Sequence, residues 1–191
     1  MKTNGRASVQ SEYPKFVTLS GGVQVRLRLM EPADKEMILA FARALPPDDL
    51  LFLRTDITQT GVLDEWARNV AIGVTVTLIA ELDGALAGYA SLHNDQARWT
   101  RRVGEIRLLL APRFRGSGLG RRLAEEIFRI GQDRGIKKMA AMMTPDQTGA
   151  QAAFERLGFQ VEALLQQWVV DRKGRPRDLL IMTHELGEAK E

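Results

Sequence analysis

Val23, Val25, Leu27 and Leu29 alternate with Gln24, Arg26 and Arg28. A two-residue period predicts a strand with one buried face. Glu31-Pro32-Ala33-Asp34 then opens a helix with proline in its first turn. Met37, Ile38, Phe41 and Leu45 give that helix an apolar face, and Pro46-Pro47 ends it. Asp48 to Leu53 and Leu63 to Val70 read as two further short helices. Val74 to Leu82 and Ala87 to His93 read as strands joined by a hairpin turn at Asp83-Gly84, and a polar loop follows from Asn94 to Arg102.

The next apolar run, Glu105-Ile106-Arg107-Leu108-Leu109-Leu110-Ala111, reads as a buried strand. Residues 119, 123, 127 and 130 are apolar at helical spacing, while Arg121, Arg122, Glu125, Glu126 and Arg129 fill the other side. That predicts an amphipathic helix. Lys137 to Met143 reads as a short buried strand. Ala150, Ala153, Phe154 and Leu157 mark a helix that Gly158 caps. Phe159 to Val170 and Arg177 to Leu186 read as a closing hairpin around Asp171-Arg172-Lys173-Gly174. Strands and helices mix without repeats or linkers, which predicts one α/β domain over 16–191 after a flexible leader, 1–15.

Between the strand and helix lies Arg115-Gly116-Ser117-Gly118-Leu119-Gly120. A glycine-rich turn of this kind lets backbone N–H groups converge on an anion, and the helix N-terminus adds its positive end. A P-loop needs Gly-Lys-Ser or Gly-Lys-Thr, but Gly120 is followed by Arg121-Arg122. A dinucleotide fingerprint needs a glycine at its sixth place, where Arg121 stands. The remaining readings are another phosphate ligand, or a tight turn without one.

Composition narrows this further. Hydrophobic residues make up 45% of the 191-residue chain and charged residues 27%, as in ordinary globular proteins. The absence of cysteine excludes disulfides, thiolate catalysis and cysteine metal sites. His93 and His184 lie too far apart for a metal spacing, so no metal is expected. No apolar run approaches the roughly 18 residues of a membrane span, and Met1 to Lys15 lack the apolar core of a signal peptide. No membrane partner and a cytoplasmic location are therefore expected. Net charge is only +3, but the arginines crowd around the turn. A basic stripe can serve nucleic acid. No aromatic stacking pattern accompanies this one, so no nucleic acid partner is expected.

The spacing of Arg115, Gly118 and Gly120, with Pro112 and an aliphatic strand before them, resembles the acyl-CoA signature of the GNAT superfamily of N-acetyltransferases. The stretch Gln147 to Phe159, ending Leu-Gly-Phe, resembles that family's later helix. The resemblance covers most of the chain from about Val23. It implies a central mixed, mostly antiparallel sheet that splays at an acyl-CoA site. It implies acetyl-CoA as co-substrate and transfer of an acetyl group to a primary amine by direct attack. The acceptor is a small-molecule amine or a protein amine. Dimers are common in the family, so a homodimer is one outcome the resemblance allows.

The resemblance also distributes roles. Leu108, Leu109, Leu110, Arg115, Gly116, Ser117, Gly118, Leu119, Gly120, Arg121, Gln147 and Phe154 would hold the cofactor. Glu105 is the expected catalytic base, because an attacking amine must lose a proton; the competing reading pairs it with Arg107. An oxyanion donor is expected from a backbone N–H near Leu109 or Leu110. Many family members carry a tyrosine where Phe154 stands, and phenylalanine has no proton to give. Gln147 replaces the family's usual asparagine. Those two departures keep open a non-catalytic CoA-binding regulatory module, with a basic nucleic-acid-binding domain as the remaining alternative. Tyr89 and the methionines at 139, 142 and 143 are expected in the core, and His93 in a structural role. The loop Arg98 to Arg102 reads either as a solvated loop or as a contact for an acidic acceptor.

Overall fold

The computed structural model describes residues 9–50, 53, 55–95, 99–171 and 173–187. It contains β1 (Lys15–Thr18), β2 (Gln24–Leu29), α1 (Lys35–Ala44), α2 (Pro47–Leu50), α3 (Thr60–Ala71), β3 (Thr75–Leu82), β4 (Ala85–His93), β5 (Val103–Leu110), α4 (Leu119–Asp133), β6 (Lys138–Met143), α5 (Thr148–Arg156), β7 (Gln160–Val170) and β8 (Pro176–Glu185). The strands form one sheet in the order β1-β2-β3-β4-β5-β6-β8-β7. Every neighbouring pair is antiparallel except β5 with β6. The fold is thus the mixed, mostly antiparallel α/β domain expected.

Each face of the sheet buries its own core. Leu119, Leu123, Ile127 and Ile130 of α4 pack on one face with Leu27, Leu78, Ala90, Leu92 and Ile106. Ile38 and Phe41 of α1 and Leu63 and Trp66 of α3 pack on the other with Ile79 and Tyr89. The alternation of side chains along a strand supplies both faces from the same residues' neighbours. Burying these aliphatic side chains, worth about 1.5–3 kcal/mol each against exposure, holds the layers together.

The structure departs from the sequence pattern in a few places. β1 escapes the periodicity because it is a four-residue edge strand whose Phe16 faces solvent. Leu45 is buried but lies beyond α1 in an extended conformation. The following proline disfavours helical backbone there. Helix α2 is a single turn that begins at Pro47 rather than Asp48; 51 and 52, within the expected Asp48–Leu53 helix, lie outside the described residues. So do 1–8, Arg98 of the polar loop and Arg172 of the closing turn. Within the segment expected as a leader, Val9–Glu12 forms a 3-10 turn. Tyr13 Oη and Lys15 Nζ donate to Glu126 of α4 at 2.6 and 2.9 Å.

Candidate functional site

Strands β5 and β6 pair at only three positions, Val103 with Lys138, Gly104 with Met139 and Glu105 with Ala140. Beyond them both strands keep their outer partners. Ile106 to Leu110 stay paired to Leu92 to Gly88 of β4, and Ala141 to Met143 stay paired to Met182 to Leu180 of β8. The sheet therefore splits between β5 and β6, and Glu105 stands where the split begins. An inner strand edge at this depth presents backbone groups that need partners. An extended ligand can supply them in the manner of an added strand.

The side chains of β5 divide between the two faces. Leu108 and Leu110 pack into the core under α4, whereas Leu109 packs with the α1 and α3 side. Glu105 and Arg107 share the face of Leu109 by alternation. The strand runs directly into a 3-10 turn, Pro112–Phe114. Gly116 (φ 74°) and Gly118 (φ 88°) follow, both in the left-handed region that glycine adopts without steric cost. Ser117 Oγ donates to Phe114 O at 2.6 Å, which fixes the bend. The first backbone bond of α4 runs from Arg122 N to Gly118 O. The N–H groups of Gly120 and Arg121 precede it, so helix geometry leaves them without intrahelical partners. Free N–H groups at a helix N-terminus are what an anion site requires.

Arg115 and Arg121 do not share one role here. Arg115 Nη2 is ion-paired to Asp49 Oδ2 of α2 at 2.5 Å, with the guanidinium side chain 48% exposed and the carboxylate 20% exposed. Arg121 reaches along its own helix to Glu125. The turn between β1 and β2 leans on the same bend, with Ser20 N donating to Ser117 O at 3.2 Å.

On the α3 side of the split lies a cavity of about 920 Å³. Glu105, Arg107, His93 and Thr75 contribute to its floor, and Trp66, Glu65 and Asn69 of α3 form a wall. Register explains the floor: Thr75 pairs with His93, His93 with Glu105, and Glu105 with Ala140. Arg107 Nε donates to Glu105 Oε1 at 2.7 Å, and the two side chains are 27% and 15% exposed. The ion pair and the cavity position are both present, so Glu105 sits where either sequence reading would have it. Both ring nitrogens of His93 are hydrogen-bonded, to Ser91 Oγ at 2.8 Å and Thr75 Oγ1 at 3.3 Å. Tyr89 is buried edge-on against Trp66. Burial pushes its phenol above the usual tyrosine range, with Arg107 opposing.

Gln147 and Phe154 lie across the split, after β6. Gln147 Oε1 accepts from Thr144 N at 3.0 Å, so its side chain closes the turn into α5. Phe154 packs edge-on against Phe159 at 5.0 Å and adjoins the α4-side core. Asp49 and the α3 wall went unread in the sequence, because only tertiary packing brings them beside the turn and floor. Among the described residues no group of His, Cys, Asp and Glu could hold a metal ion. No helix among them is long and apolar enough to cross a membrane.

A family model described as Acetyltransferase (GNAT) family matches residues 37–159. Solved structures agree on the architecture. A ribosomal-protein-alanine N-acetyltransferase from Brucella melitensis is 25% identical, with a TM-score of 0.72 over 84% of this chain and 99% of its own. The GNAT domain of S. lividans PAT is 17% identical, with a TM-score of 0.77 over 92% of this chain and 98% of its own. A putative acetyltransferase from Salmonella typhimurium, solved with its cofactor acetyl-CoA, is 23% identical, with a TM-score of 0.70 over 87% and 96%.

Proposed function

The chain belongs to the GNAT acetyltransferase family, and from that premise we propose that it transfers an acetyl group from acetyl-CoA to a primary amine by direct attack. One observation carries the reading. The β5–β6 split opens at Glu105 and ends at the glycine turn, so one continuous stretch joins a proton acceptor to an anion cradle. The residues present fit the group: an unpaired strand edge for the pantetheine amides and orphan helix N–H groups for the phosphates.

In this reading Gly116 to Arg121 hold the phosphates, and the Leu108–Leu110 edge orients the acyl arm. The amine enters from the cavity lined by Trp66 and Glu65. Its nitrogen bonds to the thioester carbon and the carbon–sulfur bond breaks, with the electron pair leaving on sulfur. Glu105 takes the amine's proton, directly or through one water, in the step that general base catalysis accelerates about 10²–10⁴-fold. A backbone N–H of Leu109 or Leu110 donates to the developing oxyanion. Arg107 donates to Glu105 Oε1 and so fixes the orientation of the carboxylate. The thiolate takes its proton from solvent, since Phe154 has none to give. The proposal keeps the cytoplasmic location expected from the sequence.

Thiol release from acetyl-CoA over a panel of amines tests this, spanning amino acids, polyamines and peptides with free termini or lysines. Release with one class supports the transferase reading and names the acceptor. CoA binding without release for any amine turns the reading to a CoA-binding module without chemistry, which Phe154 favours. Salt-dependent binding to DNA or RNA, with none to CoA, turns it to a nucleic-acid domain.

A further inference from the structure

We infer that Asp49 is a built-in competitor of the cofactor: its carboxylate occupies Arg115, the arginine of the phosphate turn, and acyl-CoA binding exchanges that ion pair for one with phosphate. The inference rests on the reading that the turn takes acyl-CoA.

Arg115 stands one residue before Gly116 and three before the αL residue Gly118 that caps the start of α4. Its guanidinium is therefore tied to the rim of the anion cradle. The Nη2 atom is bound to Asp49. A carboxylate there has the charge of a phosphate oxygen and takes the same kind of bond from a guanidinium. Once phosphates arrive, two anions compete for one cation, and the like charges repel. Asp49 belongs to α2, a single turn, and its side chain is 20% exposed. It can leave, whereas the phosphates are also held by backbone N–H groups that cannot.

Calorimetric titration with CoA separates the outcomes. Asp49→Asn removes the competing charge, and CoA should bind roughly two- to fivefold more tightly, the range set by an exposed ion pair. Arg115→Gln should bind CoA more weakly, and adding Asp49→Asn to it should give no further gain. Hydrogen exchange at residues 48–50 should rise when wild-type protein is saturated with CoA, and should be high in Asp49→Asn already. Weaker binding by Asp49→Asn would make Asp49 a support that positions Arg115 and overturns the inference. Unchanged affinity overturns it as well. In both cases the function reading survives, since the wild type still binds CoA. If the wild-type protein binds no CoA, the function reading falls and this inference with it.

Discussion

Glu105 carries two relationships at once, an ion pair with Arg107 at 2.7 Å and a place on the cavity floor beside the strand split. Replacing it with glutamine keeps size and hydrogen bonding but removes the proton acceptor. Turnover of Glu105→Gln should fall about 10²–10⁴-fold near neutral pH, while CoA affinity measured by calorimetry stays within about twofold. The loss should shrink as pH rises, because more of the amine is already neutral. Turnover equal to wild type from about pH 6 to about pH 9 would leave Glu105 with the ion pair alone. A different carboxylate, Asp34, contributes to stability through its pair with Arg28. Burial alone would raise the pKa of Asp34, but Arg28 donates to both its oxygens at 2.7 and 2.8 Å and Glu31 N–H donates at 2.7 Å, so the group is held below its ordinary range. A depressed folded-state value contributes stability above the unfolded value of about 3.9 and loses it as pH falls through the folded value. Asp34→Asn should therefore cost about 1.5–3 kcal/mol at neutral pH. In acid unfolding curves the gap between variant and wild type should narrow below roughly pH 4.

At the scale of elements, α5 poses the question that its aromatic ring answers. Phe154 is partly buried and meets Phe159 edge-on, and Phe159 in turn stands in a ring cluster with Phe128 and His184. A fully buried phenylalanine costs roughly 3–5 kcal/mol when cut to alanine. Phe154→Ala should cost less than that in thermal unfolding, because part of the ring is open. Its CoA affinity should fall as well, since the resemblance puts this ring against the acyl end. A loss as large as that of a core residue, with CoA affinity unmoved, would assign the ring to packing alone. Helix α4 shows why another element was legible from its sequence. Its apolar residues at 119, 123, 127 and 130 are all fully buried, and its charged residues pair on the outside with Glu12, Lys15 and each other. The period of the helix and the plane of the sheet leave that stripe one place to go.

Across the whole molecule, the split sheet is a structure waiting for a third partner between β5 and β6. A ligand that fills it binds the folded state alone and stabilises it by about 2.7 kcal/mol at a concentration of 100 Kd. For a domain of this size each kcal/mol moves Tm by about 2–4 °C. CoA at that concentration should thus raise Tm by roughly 5–10 °C. Gly118→Asp should remove the shift, because it puts a side chain at φ 88° and a negative charge beside the phosphates. A full shift in that variant would detach the turn from CoA binding. The strands, the two-faced helices and the glycine turn were legible in the sequence because they follow from local rules: side-chain period, proline and glycine backbone preferences, and the charge of a helix end. Glu105 and its alternative partner Arg107 were legible for the same reason, standing two residues apart on one strand. A splay in the sheet beside the glycine turn was expected only through the resemblance, and its place, between β5 and β6 after Glu105, came from the structure alone, since strand pairing is set by residues far apart in the chain. Asp49 on Arg115, Trp66 beside the floor, and the segment before β2 held on Glu126 had no local signal at all. Each is a contact between elements separated by tens of residues, and only packing of both sheet faces around one core decides which of them meet.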